Sequence, residues 1–478
     1  MGAEGAVGGA GGGQEHALLQ DRFSLSSSSS SQRRARSGAD AESDASGVAL
    51  LRAAGGDMDS GQAPGDSYFF CPPRNHQSQA YAVPLASPNA FEPVFASHPP
   101  GSEAVEQVII VVHGAGRDAE QYFGELVKIV ASHNQQERTL VVAPSWGEKP
   151  CSAAAWSGWT SNLEVRGDAQ APYWSVRGPL LTTDARAWTF GAGSDQGAHS
   201  FEVLDRVVEW VEVNYPWLRR VVVTGWSAGG QYVQRWAAFS PQGANGVTWF
   251  RGLPLRIIVG SSSTFVYLSE ERPDPTCVPD EDQGPHWSCR NFSIPSPWHD
   301  CFSRWNKYWM GLDGLQDGAS WEGQLRHDIN QYLRKSIGTS STSLLSKEIR
   351  DRWATKDIRF LFGSGDTVHC NVGACSNLCA AMLTGKNRLQ RGLNFMGYLK
   401  RLFPGYQPVW GIYHGGHSAI LAYSSDYFTA WAIEEDCTPE GVDPYASGAL
   451  VKCCKDLVKT YGLHGTGWNH YICKPASL

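Results

Sequence analysis

Long hydrophobic runs are missing from this sequence. Across 478 residues no uninterrupted apolar stretch approaches the ~20 residues that a helical membrane span requires. The longest runs have the length of buried sheet strands. A basic balance is missing too. Forty Lys and Arg face 47 Asp and Glu, for a formal charge of −7, and the sole basic run is Arg33-Arg34-Ala35-Arg36. That excludes a general nucleic-acid binder. No paired C-x₂-C sites with zinc-finger spacing occur, which argues against a metal. No internal repeat is present, which excludes a solenoid. The N-terminus shows no basic region followed by an apolar one, so no secretory signal is visible.

What is present is a large globular composition with 12 cysteines, 19 tryptophans and 42% hydrophobic residues. Residues 1–65 are rich in Gly, Ala and Ser, lack periodicity and are expected to be disordered. Residues 66–436 read as one domain with insertions at about 145–199 and 261–356. Residues 437–478 form a Cys-rich extension. The cysteines lie almost wholly outside the expected strands: Cys277, Cys289 and Cys301 in one insertion, Cys370, Cys375 and Cys379 in a later loop, Cys437, Cys453, Cys454 and Cys473 in the tail. An even number in loops points to disulfides and an oxidising compartment, as does the acceptor sequence Asn291-Phe292-Ser293. With no signal visible, either the true start is missing, the route is unconventional, or the thiols are reduced. The tryptophans, many of them in the insertions, are expected to pack those loops in place of regular structure rather than to line a cleft.

The most informative residues are Gly225-Trp226-Ser227-Ala228-Gly229. A β-branched run, Val221 to Thr224, precedes them and a helix-like stretch, Gly230 to Phe239, follows. A strand turning sharply into a helix puts the middle residue on a strained corner with its side chain exposed. Glycines two before and two after it let backbones approach closely. Upstream, Val108 to Val112 runs into His113-Gly114-Ala115-Gly116. Downstream, Ile358 to Phe362 runs into Gly363-Ser364-Gly365-Asp366, and Val409 to Tyr413 runs into His414-Gly415-Gly416-His417. Three chemistry-bearing residues thus follow strand ends in the order Ser227, Asp366, His417. That is the order of an α/β-hydrolase triad, in which serine attacks a carbonyl carbon, histidine moves its proton and aspartate orients the histidine. The N–H groups of Ala228 and of Gly114 or Ala115 are the candidate oxyanion donors. His414 competes with His417 for the base, but His417 follows two glycines that let its loop reach the serine. Asp351 and Asp357 precede their strand and lie at its wrong end.

Periodicity completes the expected fold. It predicts a strand over 139–143, and helices over 119–132 with Tyr122, Leu126, Ile129 and Val130 on one face, over 200–214 capped by Ser200, over 389–403, and near 427–434. A strand is expected at 255–259, and leading antiparallel strands between 71 and 95. Strands alternating with helices imply a mostly parallel sheet covered by helices on both faces, with long loop or cap insertions.

These residues resemble a group of largely uncharacterised α/β-hydrolase-fold proteins from plants, fungi, protists and bacteria. The resemblance spans about 105–435. It is carried by Val111-Val112-His113-Gly114-Ala115-Gly116-Arg117-Asp118-Ala119, Ser200 to Asp205, Gly225 to Arg235, Tyr267-Leu268 with Arg272-Pro273, Trp309 to Leu312, Asp366-Thr367, Arg388-Leu389-Gln390-Arg391-Gly392 and Gly416-His417-Ser418. The group often has His where this chain has Trp226, and a smaller residue where it has His414. The resemblance implies Ser227, Asp366 and His417 as the triad of a serine hydrolase. The resemblance implies no particular substrate; the triad itself points to a small molecule or acyl ester with no metal or organic cofactor needed, and the charge balance argues against nucleic acid. The alternatives are an acyltransferase using the same triad, and a non-catalytic binding protein on the same fold.

Overall fold

A computed structural model describes residues 76–86, 89–147, 151–152, 170–172, 174, 187–274, 289, 291–296, 301, 305–314, 321–337, 342–371 and 375–434. The chain divides into two units, Met1–Ala45 and Ser46–Leu478, and every described residue belongs to the second. The expectations for residues 1–65 and 437–478 lie outside the described residues.

Eight strands make the main sheet: β1 (Ala80–Pro84), β2 (Phe91–Ala96), β3 (Gln107–Val112), β4 (Thr139–Pro144), β5 (Arg220–Trp226), β6 (Leu255–Gly260), β7 (Asp357–Gly363) and β8 (Val409–Tyr413). Their order is β1-β2-β4-β3-β5-β6-β7-β8. β2 runs antiparallel to both of its neighbours, and every other pairing is parallel. The order, the single reversed strand and the helical crossovers are those of the α/β-hydrolase fold.

The central strands are apolar at almost every position because both sheet faces are covered. Val108, Ile110, Val221, Val223, Ile257 and Phe360 face one core. Ile109, Val111, Val141, Val222, Ile258 and Leu361 face the other. Helices α2 (Ser200–Asn214), α3 (Ala228–Phe239) and α4 (Trp321–Ile337) contribute to the first, together with α5 (Thr342–Ala354). Helix α1 (Ala119–Ser132) and the segment 419–433 contribute to the second. Helix α6 (Arg388–Leu402) joins the first core through Phe395, Met396 and Leu399.

Element positions follow the periodicity closely, with three differences. Ser200 is the first residue of α2, and its hydroxyl donates to the Trp188 carbonyl (2.6 Å) instead of capping. The insertion after β6 holds two helices rather than loops alone. Leu345, Ile349 and Trp353, four residues apart, are the buried stripe of α5. The single helix expected near 427–434 is three short pieces, Ala419–Tyr423, Asp426–Phe428 and the π turn Thr429–Ile433. No helix among the described residues is long and apolar enough to cross a membrane.

Disulfides staple the irregular parts, and two lie wholly among the described residues. Cys301–Cys379 joins the insertion to the short helical turn Cys379–Met382, and Cys370–Cys375 closes the loop after Asp366. Cys289 is also disulfide-bonded, and the neighbouring Asn291 is exposed. The tryptophans mostly pack. Trp146, Trp188, Trp226, Trp236 and Trp353 are fully buried.

Candidate active site

The nucleophile corner is made by the sequence around it. Ser227 sits between β5 and α3 with φ 58° and ψ −115°, a conformation that is strained for a residue with a side chain and is found mostly where function requires it. Close packing of three backbones enforces the corner. A Cβ on Gly225 would strike the Gly229 carbonyl, one on Gly229 the Val112 carbonyl, and one on Gly230 the Gly260 carbonyl. The Ser227 N–H donates to the Gly260 carbonyl (3.1 Å) and its carbonyl accepts from Gln231 (3.0 Å), fixing both sides of the turn.

Asp366 and His417 come together from neighbouring strand ends. The loop after β7 carries Asp366, and its N–H donates to the Gly363 carbonyl. The loop after β8 carries His417, braced by the Tyr413 hydroxyl, which donates to the Gly416 and Ser418 carbonyls. His417 Nδ1 lies 2.8 Å from Asp366 Oδ2. Asp366 is only 3% exposed at its side chain and His417 14%. Burial acts to raise the Asp366 carboxyl. The hydrogen bond and charge of His417, with the Arg388 guanidinium and the Ser261 hydroxyl alongside, outweigh it and hold the group below its ordinary value. The Trp226 ring lies 5.6 Å from the His417 ring, so the residue next to Ser227 in the chain packs on the imidazole. His414 is exposed on the same loop, away from this pair.

The oxyanion candidates divide. Ala228 is the first residue of α3, so its N–H has no partner within the helix and lies at the positive end of the dipole. Ala115 is exposed, whereas Gly114 is buried, and a Cβ on Gly114 would come within 2.8 Å of the Tyr122 hydroxyl. Gly114 and Ala115 both remain candidates for the second donor. Burial presses the His113 imidazole down to about 3, and its ring lies 4.8 Å from Trp188 and 5.6 Å from Trp146.

Sequence reasoning left several motif residues without a role, and the structure supplies one. The Arg117 guanidinium donates to the carbonyls of Trp146, Gly147 and Trp174, clamping two loops beside the 113–116 turn. Gln234 exchanges hydrogen bonds with both the N–H and the carbonyl of Val266, and Arg235 donates to Thr264. Arg272 lies between the rings of Tyr267 and Trp305 and donates to the carbonyls of Trp305 and Met310. Arg388 Nη1 lies 3.4 Å from Asp366 Oδ1. The Arg388–Gly392 motif was the one signal for that contact.

No known family model and no curated relative matches the chain. Its resemblance to the uncharacterised hydrolase group therefore rests on its motifs. Among solved structures the chain is similar to LpqC, a poly(3-hydroxybutyrate) depolymerase from Bordetella parapertussis, at 16% identity and a TM-score of 0.41, covering 74% of this chain and 88% of that one. It is also similar to poly(aspartic acid) hydrolase-1 from Sphingomonas sp. KT-1, at 15% identity and a TM-score of 0.39, covering 74% and 98%. A third is the Pyrococcus furiosus esterase, at 13% identity and a TM-score of 0.30, covering 73% and 83%.

Proposed function

We propose that this protein is a serine hydrolase that cleaves a carboxylic ester or a related acyl substrate through Ser227, His417 and Asp366. The observation that carries the reading is the 2.8 Å contact of His417 Nδ1 with a buried Asp366 carboxylate, at the same sheet edge as a serine with φ 58°. Buried carboxylates of this kind fix the imidazole tautomer, with Nδ1 protonated and Nε2 free to accept.

In the proposed reaction Ser227 Oγ bonds to the acyl carbon as its proton passes to His417 Nε2. The carbonyl π pair moves to the oxygen, which accepts from the Ala228 N–H and from that of Gly114 or Ala115. The intermediate collapses, the bond to the leaving oxygen breaks, and His417 returns the proton to it. Water then repeats the sequence on the acyl-enzyme and regenerates Ser227. Side chains and backbone donors carry every step.

The test is labelling by a fluorophosphonate probe and turnover of esters of graded acyl length. Ser227→Ala should abolish both while the circular dichroism spectrum stays unchanged. Loss of a triad member costs on the order of 10⁴–10⁶ in kcat. Equal labelling of wild type and variant would remove Ser227 from the mechanism.

A further inference from the structure

We infer that Arg388 is a positioning residue for the triad acid, dividing the Asp366 carboxylate between itself and the base. The inference rests on the proposed triad chemistry and adds to it a group that touches neither the serine nor the acyl carbon. The two oxygens of one carboxylate have different partners: Oδ2 faces His417 Nδ1 at 2.8 Å and Oδ1 faces Arg388 Nη1 at 3.4 Å. Both members of the ion pair are buried, at 7% and 3% side-chain exposure. At such sites a guanidinium acts with little solvent screening.

The start of α6 is built to hold Arg388 there. Asn387 caps the helix by accepting from the Gln390 N–H (2.8 Å). The Leu389 N–H donates to the Asp366 carbonyl (3.2 Å), tying the helix start to the backbone of the acid itself. Arg391, one turn on, donates to the carbonyls of Gly385, Ser263 and Ser376. Asp366, Arg388, Gly416 and His417 line one cavity of about 400 Å³. Among the described residues, the Tyr413 phenol on β8 and the Arg391 guanidinium on α6 also face the pair.

The arrangement has two consequences. Held at both oxygens, the carboxylate is restrained from rotating away from Nδ1, which keeps the imidazole in the orientation the proposed reaction requires. The guanidinium also neutralises part of the charge that would otherwise favour a proton on His417, which keeps the base deprotonated to lower pH. A neutral side chain at 388 removes both effects. A lysine restores the charge but not the planar fork.

The experiment is the pH dependence of the fluorophosphonate labelling rate for wild type, R388M and R388K, with S227A as the blank. R388M should label about 10- to 100-fold more slowly at its plateau, as expected for a misaimed catalytic group. Its acid limb should move up by about 0.5–1 pH unit, the direction set by losing a nearby positive charge. R388K should return the limb toward wild type. A slower R388M with an unmoved limb would reduce Arg388 to a structural role and overturn the inference, as would an R388K limb coinciding with that of R388M. The same charge effect is read without catalysis from NMR titration of the His417 ring, identified by its loss in H417A. If wild type fails to label, the proposed function falls and this titration alone decides Arg388. A midpoint higher in R388M than in R388K upholds the inference, and equal midpoints overturn it. Should R388M fail to fold, R388Q takes its place in both arms.

Discussion

Replacing Cys301 and Cys379 together by alanine should destabilise the protein more than replacing Cys370 and Cys375. The two bridges differ chiefly in the length of chain they close, 78 residues against 5. In the chain-entropy account, a loop of the first length removes about 15 cal/mol/K from the unfolded ensemble, or about 4.5 kcal/mol at 25 °C, and one of the second about 2 kcal/mol. A cooperative unit of roughly 370 residues unfolds with about 0.8 kcal/mol/K, so the two losses should lower Tm by about 6 °C and 2–3 °C. The long bridge also holds a small apolar cluster in which Cys301, Trp305 and Met310 meet Ala380 and Ala381. The neighbouring Met382 and Gly385 contact Arg391, so its loss should reach the acid loop and slow ester turnover as well. The assay is scanning calorimetry of the two double variants beside wild type under non-reducing conditions, with turnover measured at 25 °C. An equal Tm loss, or a larger one for the short bridge, would refute the loop-length argument.

His417→Ala should lose as much turnover as Ser227→Ala, while the exposed His414 should tolerate alanine with little effect on kcat; the reverse ranking in ester kinetics would make His414 the base. The Asp366 carboxyl is held below its ordinary value, so its contribution to stability is present above the unfolded carboxyl range and is lost as pH falls through the folded value. Asp366→Asn should accordingly lie furthest below wild type in urea unfolding near neutral pH and converge on it in acid; a constant gap would show that the carboxylate has no such linkage. Gly230→Ala should cost about 1–3 kcal/mol or more by overpacking, because its Cβ would strike the Gly260 carbonyl; unchanged denaturant stability would show that the elbow is looser than its backbone contacts imply.

The fold was legible wherever a segment is buried on one regular period. The runs at 108–112, 221–223 and 257–259 are apolar without a break because the sheet is covered on both faces, and each lies in a strand of the main sheet. Helices α1 and α2 have their expected ends because their apolar stripes begin and stop there. The insertion helices were harder to read. Leu345, Ile349 and Trp353 are the stripe of α5, but they sit among Ser, Lys and Arg residues, and the segment's polarity hides three stripe positions in 13 residues.

The site was legible at strand ends and opaque elsewhere, for a physical reason. A group at the end of a strand inherits its position from sheet order, so Asp366 and His417 could be paired from the neighbouring runs that carry them. Polar anchors have no such frame. Arg117, Gln234, Arg272 and Arg391 are buried and bond to backbone carbonyls or N–H groups of loops far away in sequence, and no periodicity announces such partners. Buried cations and amides are costly unless fully bonded, so each can persist only where a particular loop path supplies its acceptors. The motifs without obvious chemistry are therefore the residues that define the loop paths around the candidate site. Arg388 is the member of that set whose partner is the proposed catalytic acid itself, which is why its substitution should alter a pH profile, whereas loss of the other anchors should alter stability and loop position first.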